Sequence, residues 1–267
     1  MRTSTPGAPD VRRSSPRSDH DARPLPAGAE PSTVTVSRDP AGRWFVSILV
    51  EETIDPLPTS SGSVGVDLGI TTLATLSTGE KVLNPRNGHD ERRLVKAQRA
   101  LARKAPGSAN RAKARLKVAK IYARITDRRR DHLHKLSTRL VRDNQVIAVE
   151  DLTVSSMIKN RHLARAISRA GWHELRSMLD YKSQWYGREL VIVDRWFPSS
   201  KMCSSCGTHR GPLPLDIRSW ECACGASHDR DVNAALNILA AGLAERRNAC
   251  GADVRPQREP SRAGGRR

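Results

Sequence analysis

Three carboxylates stand where this chain is otherwise apolar. Asp67 interrupts Val64-Gly65-Val66-Asp67-Leu68-Gly69-Ile70, Glu150 ends Val146-Ile147-Ala148-Val149, and Asp231 opens Asp231-Val232-Asn233-Ala234-Ala235. A charged group inside a strand covered on both faces is costly to bury, and a divalent cation compensates that cost. Mg²⁺ prefers carboxylate oxygens and retains water for a substrate phosphate. Two such ions about 3.5–4 Å apart activate water and stabilise the leaving oxygen of an in-line displacement. The chemistry expected of Asp67, Glu150 and Asp231 is therefore Mg²⁺-dependent phosphodiester hydrolysis. Each acid also has a plain structural use. Asp67 suits a turn before Gly69, Glu150 can end a strand whose following helix is capped by Asp151 or Thr153, and Asp231 can be a helix N-cap. Asp229 competes with Asp231 for the third position; Asp231 is preferred because it directly precedes the helical Val-Asn-Ala-Ala run.

Cys203-Ser204-Ser205-Cys206-Gly207 and Cys222-Ala223-Cys224-Gly225 form two knuckles separated by fifteen residues. Four thiolates at Cys203, Cys206, Cys222 and Cys224 predict a closed, structural Zn²⁺ site. The glycine after each knuckle permits the sharp turn. Cys250 lies in the tail and is left out of the set. The second knuckle ends so close to Asp231 that a metal-folded ribbon should help fix that acid.

The elements that must position these groups follow from period and punctuation. Residues 1–32, rich in Pro, Ser, Arg and Asp without period, are expected to be disordered. Residues 33–54 alternate as a β-hairpin around Asp39-Pro40-Ala41-Gly42, and a Pro/Ser linker runs from Asp55 to Ser63. Val64 to Val82 reads as a β-meander. Leu94, Ala97 and Leu101 share a helix face, Pro106-Gly107-Ser108 breaks the helix, and Asn110 to Arg142 runs on without Gly or Pro. A strand over Val146–Val149, a helix over Trp172–Gly187, a strand over Leu190–Val193 and a helix from Val232 to Arg247 complete the pattern. The fold class is α/β: an RNase H-like mixed sheet over residues 62–200, with a basic helical hairpin inserted at 90–142, a zinc ribbon at 201–228, a last core helix at 229–247 and a disordered tail at 248–267. In such a sheet the first and fourth strands are neighbours, so their acids converge.

Lys and Arg number 46 against 28 Asp and Glu, a formal charge of +18. A surplus that large attracts a polyanion. Between Arg92 and Arg130 there are fifteen Lys/Arg and a single acid, Asp127. Like charges along a helix repel unless something anionic offsets them. Phosphate backbone is the natural partner of Arg92, Arg93, Lys96, Arg99, Arg103 and Lys104 on the first arm. The same holds for Arg111, Lys113, Arg115, Lys117, Lys120 and Arg124 on the second. No run of about 18 apolar residues offers a membrane span and no secretory leader is visible, so a cytoplasmic protein, at the nucleoid when bound to DNA, is expected.

Val64-Gly65-Val66-Asp67-Leu68-Gly69, Val149-Glu150-Asp151-Leu152, Phe197-Pro198-Ser199-Ser200-Lys201 leading into the first knuckle, and His228-Asp229-Arg230-Asp231-Val232-Asn233-Ala234-Ala235 together resemble the TnpB (OrfB) proteins of insertion sequences, relatives of type V CRISPR nucleases. The likeness runs over roughly residues 33–247. It implies a RuvC-like nuclease with an inserted zinc ribbon, Asp67, Glu150 and Asp231 as catalytic carboxylates, and RNA-guided cleavage of DNA beside a short adjacent motif. Such proteins usually begin with a wedge-like β-barrel and a helical recognition region. Residues 33–54 resemble only the closing strands of the wedge, so the sequence reads as an N-terminally truncated copy. Two other functions stay open at this point: a non-cleaving nucleic-acid-binding transposon fragment or regulator, and a junction- or hybrid-specific hydrolase acting without a guide.

Overall fold

The computed structural model describes residues 25, 28–85, 87–211, 214 and 217–251. The disorder expected of residues 1–32 falls mostly outside them, as does that of the tail beyond residue 251. Two strands, β1 (Thr33–Arg38) and β2 (Trp44–Leu49), make an antiparallel hairpin with apolar side chains exposed on both faces. Up to Ser37 and from Trp44 on, these strands belong to one compact unit; Arg38–Arg43 and everything from Ile54 onward belong to another.

The second unit is built on a five-stranded mixed sheet. Its strands are β3 (Ser63–Leu68), β4 (Thr72–Leu76), β5 (Lys81–Leu83), β6 (Val146–Glu150) and β7 (Glu189–Val193). The spatial order is β5-β4-β3-β6-β7. The first three pair antiparallel, as short turns require, whereas β6 joins β3 and β7 joins β6 in parallel through helical crossovers. Both central strands are covered on both faces, which is why they read as continuous apolar runs.

Between β5 and β6 lie α1 (Gly88–Ala102) and α2 (Ala109–Asp143), the two unequal arms of the basic hairpin. Ser108 caps the longer arm by accepting from the Arg111 amide. The distal part of the hairpin holds a small core of its own, Leu94, Ala97, Val118 and Ile121. The proximal part of α2 enters the main core through Leu133, Leu136, Leu140 and Val141. There it meets α5 (Trp172–Trp185), which follows two short helices the sequence pattern did not suggest, α3 (Val154–Met157) and α4 (Ala164–Ala170). Gly171, at φ +71°, separates α4 from α5. The Lys182 ammonium of α5 is buried against α2, where it donates to the His134 carbonyl and the Ser137 and Thr138 hydroxyls. The segment before β3 is more than a slack linker. Arg188 donates to the Leu57 and Pro58 carbonyls and Gln145 Oε1 accepts from the Ser60 amide.

On the other face of the sheet lies α6 (Arg230–Gly251), which starts earlier and ends four residues later than the periodicity predicts. It sits very close to the sheet. A Cβ on Gly65 would lie 2.1 Å from the Ala235 carbonyl oxygen, and one on Gly242 would lie 2.6 Å from Ala148 Cβ. Small residues at these points set the height of the helix over β3 and β6, and through it the position of Asp231. Gly65→Ala is expected to lower stability by about 2–3 kcal/mol, because the obstacle is backbone and not a flexible side chain; a urea unfolding series would measure it. Among the described residues no helix is long and apolar enough to cross a membrane.

Candidate active site

The β3–β6 ladder pairs Val66 with Val149. The next residues along each strand are Asp67 and Glu150, so two parallel neighbouring strands deliver their acids side by side at their C-terminal ends. The Leu68 amide donates to Glu150 Oε1 at 3.1 Å and fixes that carboxyl. Asp231, in the first turn of α6, completes the group. All three acids line one cleft of about 480 Å³, together with Thr71, Thr72, Ser199, Ser200, Arg218 and Arg230. Arg218 reaches Asp231 Oδ1 at 3.5 Å.

The electrostatics of the cleft are those of crowded carboxyls. Burial, then the neighbouring Glu150 and Asp231 charges, push the Asp67 pKa up to about 8, against a smaller opposing pull from Arg230. Burial also raises Glu150, which the Leu68 hydrogen bond only partly offsets. Buried like charges without a cation hold protons. Oxygen donors that repel one another and face a solvent-accessible cleft are the donor set a hard divalent cation requires.

Asp229 is placed differently from Asp231. Its carboxylate accepts from the Asp231 and Val232 amides at 3.1 Å each and pairs with Lys81 Nζ at 2.6 Å. Partial burial works against its ionised form, but Lys81 and the two helix amides hold it below the usual carboxylate range. Asp229 is thus the cap of α6, and Asp231 is the residue left to face Asp67.

The four expected cysteines come together. Their Sγ atoms lie within 4.8 Å of one another, and among the described residues they are the only such His/Cys/Asp/Glu group. The three acids converge on the cleft without reaching that mutual closeness. Cys203 Sγ lies 3.8 Å from Cys224 Sγ and Cys206 Sγ lies 3.7 Å from Cys222 Sγ. Hydrogen bonding with Thr208 and the neighbouring thiols draws the Cys206 thiol down to about 6, while, against the pull of the Ala226 amide, the neighbouring thiols push Cys224 up to about 12, so the clustered thiols share protons where a soft cation would replace them. A short hairpin, β8 (Ser219–Glu221) and β9 (Ser227–Asp229), carries the second knuckle straight into α6. The side chain of Cys250 is outside the described residues.

Sequence reading did not assign roles to the two groups that tie this cluster to the acids. Asn233 accepts from the Ser204 amide and donates to the Met202 carbonyl, while Asn237 donates to the Ser199 and Met202 carbonyls. Both amides are buried. The signal was present as two asparagines one helical turn apart on an otherwise apolar face. Asn233→Ala is expected to cost about 1–3 kcal/mol, since the Ser204 N–H loses its acceptor; hydrogen exchange at Ser204 is the direct readout.

Eleven of the twelve basic residues named on the hairpin are exposed; Arg111 is half-buried. Three are also engaged within the hairpin. Arg93 and Arg124, with Arg128, surround the buried Asp90 carboxylate, and Arg111 donates to the Leu101 and Lys104 carbonyls at the bend. For these three, a structural bond stands beside the expected phosphate contact.

The family described as "Probable transposase" (OrfB_IS605) matches residues 46–161, which include Asp67 and Glu150, and the family "Cas12f1-like, TNB domain" matches residues 172–238, which include the cysteines and Asp231. A Streptomyces pristinaespiralis protein named "Putative RNA-guided DNA endonuclease" is 68% identical over 91% of the chain. Over most of its length the chain is similar to TnpB (OrfB) proteins. InsQ of Escherichia coli K12 carries the same description and is 36% identical over 79% of the chain. The chain spans 60% of the first relative's length and 56% of the second's. Its mixed α/β fold is similar to that in the cryo-EM structure of a Cas12f1–sgRNA–target DNA complex, with a TM-score of 0.54 and 18% identity over 79% of this chain and 45% of that one.

Proposed function

We propose that this chain forms the nuclease portion of a transposon-encoded, RNA-guided DNA endonuclease. The observation that carries the reading is the convergence of Asp67, Glu150 and Asp231, from three distant parts of the sequence, on one cleft. The strand order, with its antiparallel meander and two parallel additions, supports an RNase H-like (RuvC) core in which α1–α2 and the cysteine ribbon are insertions. Residues 62–200 and the last helix make the core on this reading, and 201–228 make the ribbon.

In the acidic cleft, Asp67, Glu150 and Asp231 would hold Mg²⁺, which when bound would activate water and offset the negative charge that builds up at the phosphate. The Leu68 amide keeps Glu150 oriented. Arg218, beside Asp231, supplies a guanidinium at the mouth, where a phosphate oxygen would enter. In the ribbon, Cys203, Cys206, Cys222 and Cys224 fit Zn²⁺, whose part is structural because four sulfurs leave no open position. The exposed cations of α1 and α2 hold the phosphate backbone of a duplex or heteroduplex without reading its sequence.

The test is direct. The chain is purified with its associated RNA, the RNA is sequenced, and matching DNA is offered with Mg²⁺ to the wild type and to Asp67→Ala. Cleavage by the wild type alone is expected. Binding without cleavage would establish a non-cleaving nucleic-acid-binding protein instead, and unguided cleavage of branched DNA or of an RNA hybrid would establish a free-standing hydrolase.

A further inference from the structure

A second cavity, about 600 Å³, shares Leu68, Glu150 and Leu152 with the acidic cleft. Its apolar lining comes from Val149 and from Trp172, Leu175 and Leu179 of α5, all buried in the core. Its exposed lining residues include Ser155 and Ile158. Two features single it out. The volume is that of a small-ligand site and not of a packing defect. Second, Arg176 and Arg195, which line the cavity, both bond the Asp151 carboxylate, and Arg195 also donates to Thr153. Two guanidiniums on one carboxylate are held rigid and retain one positive charge.

We propose that this cavity takes one nucleobase of the DNA strand being cut, with Arg176 and Arg195 holding the adjoining phosphate. A base is a flat body with two apolar faces, which suits the apolar walls. Its phosphate suits the Arg pair, whose geometry Asp151 fixes in advance. The shared Glu150 wall places that nucleotide next to the bond to be hydrolysed, so base capture would anchor the strand in register with the acids. An uncharged ligand would leave the surplus positive charge of the two guanidiniums over the single Asp151 carboxylate unmatched.

This inference rests on the nuclease reading, and its test is made by binding, apart from cleavage. Fluorescence anisotropy would compare a labelled, wholly abasic DNA strand with the same strand carrying one central adenine, in Ca²⁺ and with the full chain. The adenine is expected to tighten binding at least about fivefold. Ser155→Leu, which narrows the cavity, is expected to erase that gain while leaving the affinity for the abasic strand unchanged. Arg195→Gln is expected to weaken both strands alike. No gain from the adenine in the wild type, or an equal gain in Ser155→Leu, overturns the proposal. A chain that never cuts DNA yet keeps the adenine-dependent gain removes the nuclease reading and leaves the pocket standing.

Discussion

Asp67→Asn is expected to lower Mg²⁺-dependent DNA cleavage by at least about a thousandfold, while making the metal-free protein more stable at pH 8. The first effect follows from the place of Asp67 between Glu150 and Asp231. Removing one of three oxygen donors forfeits several kcal/mol of transition-state stabilisation, and about 4 kcal/mol corresponds to three powers of ten in rate. The second effect follows from the same crowding. The Asp67 carboxyl titrates near 8 in the folded chain against 3.8 when free. Between those two values the folded state keeps a proton that the unfolded state has lost, so metal-free stability is whole below about pH 4 and declines as pH rises towards 8. Asparagine cannot ionise and removes that part of the decline. Thermal melts in a chelator at pH 5 and pH 8 should therefore converge for Asp67→Asn relative to the wild type, with cleavage measured on the same samples. An Asn variant that cuts at the wild-type rate, or that loses stability at pH 8, would contradict the assignment of Asp67 to the acidic group.

Cys206→Ser is expected to empty the ribbon of zinc and to abolish cleavage together with it, although Cys206 is far in sequence from Asp67 and Glu150. Structural zinc contributes about 10–16 kcal/mol to the folding of small cysteine sites, more than a ribbon with two three-residue strands can supply by packing. Without the ion, Ser204 and Met202 are no longer held in place to meet Asn233 and Asn237. The start of α6 then loses the neighbours that orient Asp231. Elemental analysis would show zinc falling from about one ion per chain to almost none, and circular dichroism should show the sheet retained. Full cleavage by a zinc-free protein would mean that the ribbon has no part in setting the third carboxylate.

Much of this arrangement was legible in the chain because its signals are strong and local. A carboxylate in an apolar strand needs compensation wherever it lies, and paired knuckles declare a metal cluster by spacing alone. The hairpin arms were marked by Pro106-Gly107-Ser108 and by unbroken helical spacing afterwards. Other features depend on distant partners. What sets Asp229 apart from Asp231 is partly Lys81, which reaches Asp229 from β5. The linker before β3 is held by Arg188, more than a hundred residues away. Asp90, in the first turn of α1, carries no mark in the sequence, yet it is buried beneath three arginines. The helices α3 and α4 are too short to show a period. The cavity beside Glu150 is assembled from β3, β6, α5 and the segment after β7, so no stretch of residues announces it.

Because α6 supplies Asp231 and follows both other acids in the chain, a polypeptide still being synthesised holds Asp67 and Glu150 without their third companion. On the proposed nuclease reading, hydrolysis then waits until β8 and β9 have left the ribosome and α6 has settled onto Gly65. Translation itself would thus withhold the acidic cleft until α6 has emerged.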